Sequence, residues 1–156
     1  MSTTKQFWLF KAEPHIYGIE HLAAAPNKIG RWDGIRNYQA RNFLRDQVAL
    51  NDEIFIYHSS CKSVGIVGTA KVVKTAYPDP TQFNPESNYY DPKSTCENPR
   101  WVSVDIKLTK VFPRIISLAE IKAQPALKNM VLVKQSRLST QPVTKEEWEF
   151  ILALLK

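Results

Sequence analysis

Cysteine is scarce. Only Cys61 and Cys96 occur in 156 residues, far apart and without CxxC spacing. Neither a zinc site nor a redox dithiol is suggested, and both read as reduced thiols. The three histidines, His15, His21 and His58, also lack the spacing of metal ligands, so no metal and no cofactor is expected. Long apolar runs are missing: even the end of WEFILALLK falls short of the ~20 residues that a membrane span needs. The stretch MSTTKQFWLFKAEP has neither the apolar segment nor the small-residue cleavage site of a secretory signal. The expectation is an intracellular, cytoplasmic protein without a membrane partner, nucleoid-associated if bacterial. Internal repeats and composition shifts are absent too, so residues 1–156 read as a single domain.

What is present is a balanced globular composition, 44% apolar and 23% charged, in a chain long enough to bury its own core. Net charge is +6, and its placement matters more than its size. From Lys28 to Arg45 stand five basic residues, Lys28, Arg31, Arg36, Arg41 and Arg45, against one acid, Asp33. A local excess of arginine favours an anionic partner, of which nucleic acid is the commonest.

Along the chain, QFWLF (6–10) has the short aromatic profile of a strand, and Pro14 ends regular pairing. A brief helix is expected over Ile16–Ala25, then a turn at Asp33-Gly34 and a helix from Tyr38 to about Val48 capped by Asn37. EIFIYHSS (53–60) and VGIVGTAKVVKTA (64–76) read as strands joined by a hairpin, the glycines of the second suggesting a bulge or bend. Residues 77–100 hold five prolines with little apolar periodicity. They read as a long loop, and their three tyrosines and one phenylalanine argue against disorder. WVSVDIKLTKVF (101–112) alternates cleanly, Val102, Val104, Ile106 and Leu108 facing one way. Ser117 with Glu120 and Thr144 with Glu147 are capping boxes, and Trp148, Ile151, Leu152 and Leu155 form a core stripe on the last helix. MVLVKQSRLS reads as at least partly strand. The expected class is α+β, with a mostly antiparallel, curled sheet.

WDGIRNYQARNFLR (32–45) gathers three arginines, three aromatics and three amides. Arg41 and Arg45 lie one helical turn apart with no acid between them, a like-charge pair that costs about 0.2–0.5 kcal/mol in an isolated helix. They are not there for helix stability. They bond acids or carbonyls elsewhere in the fold, or they face phosphates; both accounts stand for Arg41, and Arg45 is read toward phosphate. Trp32 is either a core plug or the wall of a pocket. Its company of amides (Asn37, Gln39, Asn42) suits reading the edge of a base whose face is stacked on an aromatic ring, although Asn37 also suits a helix cap. Tyr57 and Ser59 are expected on one face of their strand and His58 on the other, as a hydrogen-bonded core histidine or a ligand contact. Lys11 and Glu13 share a face at a strand end, as an ion pair, a base-reading pair, or the lysine and carboxylate of a small hydrolase.

These pieces, FWLFKAEP, WDGIRNYQARNFLR, IFIYHSS with GIVG, YPDPTQF, YYDPKS before PRWVSVDI, and RLSTQPV, occur in the order found in EVE domains, which the whole chain resembles. The resemblance implies a PUA-like fold, a curled β-barrel with flanking helices related to ASCH and YTH domains. It also implies binding of RNA or DNA that carries a modified base, modified cytosine being the leading suggestion for DNA. On that likeness Trp32 is a cage wall, and Lys11, Glu13, Asn37, Tyr57 and Ser59 line the base pocket. Trp101, or an aromatic of the Tyr89-Tyr90 loop, closes it, while Arg36, Arg41 and Arg45 meet the phosphate backbone. Many members read KSEP where this chain has Lys11-Ala12-Glu13-Pro14, and HSN where it has His58-Ser59-Ser60, so a hydroxyl and an amide are lost near the implied pocket.

The leading expectation is therefore a non-catalytic nucleic-acid-binding module, with no metal and with a partner nuclease left open. The alternative is a small hydrolase acting on a modified nucleoside such as acetylated cytidine, as in some ASCH relatives. There Lys11 and Glu13 serve as base and orienter, and Ser59 supplies the hydroxyl that Ala12 cannot.

Overall fold

A computed structural model describes residues 5–135 and 137–155; all structural statements concern these. Six strands form one sheet in the order β2-β5-β4-β3-β1-β6. The strands are β1 (Phe7–Ala12), β2 (Ile29–Trp32), β3 (Glu53–His58), β4 (Gly65–Pro78), β5 (Val102–Ser117) and β6 (Thr140–Val143). Only β1 and β3 run parallel; every other pairing is antiparallel. The helices are α1 (Pro14–Tyr17), α2 (Ile19–Ala24), α3 (Tyr38–Asp46), α4 (Leu118–Lys122), α5 (Val131–Lys134) and α6 (Lys145–Ala153).

Strand alternation builds two cores, one on each face of the sheet. Trp8, Phe10, Ile54, Ile56, Val104 and Ile106 join Ala40 and Leu44 of α3 on one face. Leu9, Phe55, Tyr57 and Ile116 join Trp148 and Ile151 of α6 on the other. Phe55 stacks on Trp148 at 3.8 Å. A polar tip in the first core is satisfied, since the Trp8 indole donates to buried Asp52 at 2.9 Å.

Several expectations hold in detail. Asn37 caps α3, its Oδ1 accepting from the Ala40 N–H at 3.0 Å. The Thr144–Glu147 capping box is complete in both directions. The register between β3 and β4 slips at Ile56/Tyr57, the bulge that the glycines of β4 predict.

One expectation is corrected. MVLVKQSRLS does not form a strand: Val131–Lys134 is a helical turn, and the strand lies beyond, at Thr140–Val143. A short apolar run fits a buried helical turn as well as a strand, and the free edge of β1 is taken by β6. Ser136 of that run lies outside the described residues. The expected curled, mostly antiparallel sheet with flanking helices is present, and it stays open because edge strands β2 and β6 do not pair with each other. Pro142 sits in β6, where an edge position tolerates its missing N–H.

Candidate functional site

The opening left by that incomplete closure is a cleft of about 610 Å³, within the size range of small-molecule sites. Parallel β1 and β3 end side by side there, and antiparallel β6 begins there. Lys11 and Glu13 come from the end of β1, Trp32 from edge strand β2, Ser59 from the residues after β3, and Ser139 and Arg137 from the approach to edge strand β6. The two edges that would have to meet to complete a barrel both contribute to its walls.

Its aromatic floor is shared with the core. Trp32 is only 5% exposed, packed 5.8 Å from Phe10 and edge-on 6.2 Å from Tyr17, yet it borders the cleft. The core-plug and wall readings are thus both descriptions of one ring. Tyr89, from the long loop, enters the cleft wall over Gly34. Gly34 has φ +77°, and a Cβ there would lie 2.7 Å from the Tyr89 ring, so both the backbone and the close approach require glycine.

The loop is held there by an arginine. Arg36 makes five hydrogen bonds: Nε and Nη2 to the Tyr89 carbonyl, Nη1 to the Ile35 carbonyl and Asp79, and Nη2 to the Thr81 hydroxyl. A guanidinium has five N–H donors, so none remains for phosphate. The expected phosphate role of Arg36 is corrected to that of a clamp. Asp79, its partner at 3.0 Å, is fully buried. Burial works against its ionisation, but hydrogen bonds from Thr81, Gly34 and Arg36 outweigh that and hold its carboxyl below the ordinary range.

Arg41 follows the carbonyl-bonding account, donating to the Arg100 carbonyl at 2.9 Å and to Asn42. Among the described residues Arg45 pairs with its neighbour Asp46 alone, both side chains about half exposed. Such a pair contributes little and leaves the cation accessible. Neither arginine lines the cleft.

Tyr57 and Trp101 are two further corrections. Tyr57 is 2% exposed and belongs to the opposite core with Leu9 and Phe55; burial pushes its phenol up to about 12. Strand alternation fails to carry past it because β3 ends at His58 and Ser60 turns with φ +54°, which brings Ser59 to the cleft without Tyr57. Trp101 is 5% exposed. Its indole donates to Asp91 at 2.7 Å and its ring stacks on Tyr38, away from the cleft lining.

The remaining expected residues converge. The Lys11 ammonium, pushed below its ordinary value by burial, sits 5.6 Å over the Tyr57 ring. Asn37 borders the cleft with its Oδ1 spent on the helix cap, which leaves its amide NH2 as the group to offer a ligand. Ser59 ties β3 to β1 through its N–H on the Ala12 carbonyl at 2.8 Å. His58 takes the structural role: its Nε2 accepts from the Ile19 N–H at 3.1 Å. It borders a separate, smaller hollow of about 390 Å³ beside α2.

Tyr17 and Arg137 also line the cleft and were not singled out from the sequence. Arg137 lies inside the quoted RLSTQPV, so the signal was present without a role attached. It is exposed and makes no hydrogen bond or ion pair among the described residues, which sets it apart from Arg31, Arg36, Arg41 and Arg45. No group of three or more potential ligands able to hold a metal ion occurs among the described residues.

Comparison with known proteins places this geometry. The EVE domain family model matches residues 6–154. Human thymocyte nuclear protein 1 is 46% identical over 164 aligned residues, covering 94% of this chain and 72% of that protein. The crystal structure of human THYN1 protein in complex with 5-methylcytosine-containing DNA is 45% identical and superposes with a TM-score of 0.93, over 97% of this chain and 98% of that one. A YTH domain, that of the Zygosaccharomyces rouxii MRB1 protein in complex with N6-methyladenosine RNA, shares only 17% identity at a TM-score of 0.56 over 97% and 87% of the two chains. That likeness is one of fold alone, and with the first it makes the architecture PUA-like.

Proposed function

This chain belongs to the EVE domain family, and from that premise we propose that it is a non-catalytic module that takes a modified base of DNA or RNA into the cleft beside Trp32. The observation that carries the reading is the cleft itself, about 610 Å³. It is bounded by two aromatic rings, Trp32 and Tyr89, and by short-range polar groups of both kinds. Lys11 and the Asn37 amide offer donors, while Glu13 and the Ser59 hydroxyl oxygen, whose own hydrogen is directed at the Ala12 carbonyl, are acceptors. A heterocycle has a flat face and a polar edge, and this lining suits both. The complex of human THYN1 protein with 5-methylcytosine-containing DNA makes 5-methylcytosine in DNA the first ligand to try.

An unpaired or flipped nucleotide is the form that fits, because a base within a duplex cannot present its face to a wall. Stacking contributes about 1–3 kcal/mol per base. Arg137, at the rim and without a partner among the described residues, takes the nearest phosphate. Arg45 and Arg41 lie farther along the strand.

The test is titration of short single-stranded oligonucleotides, with and without 5-methylcytosine, against the parent, Tyr89→Ala and Arg137→Gln. The expected result is preference for the modified strand, reduced by Tyr89→Ala. Arg137→Gln is expected to flatten the salt dependence by about 0.7 in slope, one phosphate contact on a single strand. Equal binding of modified and unmodified strands by the parent sinks the proposal.

A second reading has one observation in its favour: Lys11, Glu13 and Ser59 do meet in the same cleft, and burial lowers the lysine toward the neutral form a general base needs. Incubation with acetylated cytidine separates the two readings. Release of acetate and cytidine, lost in Lys11→Met, supports the hydrolase.

A further inference from the structure

Tyr38 stands out on the far side of the Arg36 clamp. It is 51% exposed, an unusual position for a large ring that is also well ordered by packing. One side of it stacks on Trp101, centroids 4.8 Å apart and planes 26° from parallel. Trp101 in turn is fixed at both ends. Its indole donates to Asp91, and its backbone N–H and carbonyl both bind the buried Gln82 side chain, at 3.0 and 2.8 Å. The Arg41 guanidinium lies 4.8 Å from the Tyr38 ring and 6.0 Å from that of Trp101, held beside the pair by the Arg100 carbonyl. The outcome is an exposed aromatic pair held in place by these contacts, with a cation over the Tyr38 ring.

Its position relative to the cleft is equally constrained. Tyr38 follows Asn37, which lines the cleft, and Arg36 borders both places. Arg36 is part of the cleft wall, and its guanidinium carbon is 5.3 Å from the Trp101 ring, which is 4.8 Å from Tyr38. We propose that the Tyr38–Trp101 pair is a second base-binding surface, which stacks a nucleotide flanking the one held in the cleft, on the same strand. This rests on the cleft reading for the identity of the ligand. Nucleic acid fits better than a protein side chain, because a base supplies a flat face for the ring and a phosphate for Arg41 and Arg45 together. Stacking of this kind tolerates any base, so the surface adds affinity and a length requirement without adding sequence preference.

The experiment compares the parent, Tyr38→Ala, Tyr38→Phe and Tyr89→Ala on two probes. The first is 5-methyldeoxycytidine monophosphate; the second is a single-stranded hexanucleotide with one central 5-methylcytosine. Tyr38→Ala is expected to weaken hexanucleotide binding about 5- to 150-fold, the range of one aromatic–base stack. Binding of the mononucleotide should be unchanged by it, and Tyr38→Phe should behave as the parent on both probes. Hexanucleotide binding by Tyr38→Ala equal to the parent's overturns the second surface, as does equal weakening on both probes, which marks a general disturbance of the fold. Failure of the cleft reading looks different: Tyr89→Ala then leaves both probes untouched, while the Tyr38 comparison on the hexanucleotide still stands. If the parent does not bind the hexanucleotide at all, both proposals fall.

Discussion

Replacing Asp79 by asparagine keeps the shape of the side chain and removes its charge, at the carboxylate that pins the long loop to the cleft wall. Asp79 is fully buried and accepts four hydrogen bonds, from the Gly34 and Thr81 N–H groups, the Thr81 hydroxyl and Arg36 Nη1. An asparagine offers one oxygen. If that oxygen keeps Gly34 and Arg36, the amide NH2 meets the Thr81 N–H, donor against donor. Breaking a buried ion pair by removing one partner costs about 3–5 kcal/mol. The Arg36 side chain is 22% exposed, so water compensates part of the loss, and about 2–4 kcal/mol is the expected cost of Asp79→Asn. For a domain of this size that lowers Tm by about 4–16 °C. Urea unfolding should show the same loss at an unchanged m-value.

A pH series adds a second constraint. The folded-state carboxyl titrates below its unfolded value, near 3.9. Its stabilisation is therefore complete above that value and is lost as pH falls through the folded-state pKa. The parent and Asp79→Asn should converge in stability below about pH 4. A variant within about 0.5 kcal/mol of the parent at pH 7 refutes the ion-pair account; a difference that stays constant from neutral pH to pH 3 refutes the titration.

Gly34→Ala should destabilise by at least about 1 kcal/mol, from the positive φ alone, and weaken ligand binding, because the Tyr89 ring must move aside; unfolding and titration at parental values would rule this out. Trp32→Ala should cost about 3–5 kcal/mol, since the ring is 5% exposed and packs on Phe10 and Tyr17. A thermal melt of that variant must accompany any binding measurement, and an unchanged Tm would contradict the core role. Burial holds the His58 imidazole below its ordinary value, against an opposing pull from Glu20. The unfolded chain therefore takes up the proton first, and stability present above about pH 6.5 declines as pH falls through the window below it. His58→Gln should flatten that decline between pH 7 and 5, and an identical slope in parent and variant would count against it.

Much of the local structure was legible in the chain because it depends on near neighbours. Asn37 caps three residues ahead of itself, Thr144 and Glu147 complete a box, and alternation in WVSVDIKLTKVF puts Val104, Ile106 and Leu108 in one core. The EVE motifs extend this to the placement of Lys11, Glu13, Trp32, Asn37 and Ser59 around one cleft. Reading MVLVKQSRLS as strand failed for the complementary reason, since its outcome turned on which segment pairs with the edge of β1, and that segment is Thr140–Val143.

What only the tertiary structure decided is which groups are already spent. Seven arginines look equivalent from residue 31 to residue 137 if exposure is imagined from sequence alone. Arg36 is saturated by the neighbouring Ile35 carbonyl and by Asp79, Thr81 and Tyr89, the last three more than forty positions away, while Arg137 stands at the cleft rim without a partner among the described residues. Tyr57 and Ser59 part company because the strand ends between them. The sheet stays open because its two edge strands, one near each end of the chain, do not pair. Hydrogen-bond capacity is finite, and the contacts that consume it join residues distant in the chain. Local pattern therefore names the candidates for a site, and long-range packing determines which of them are left to bind something else.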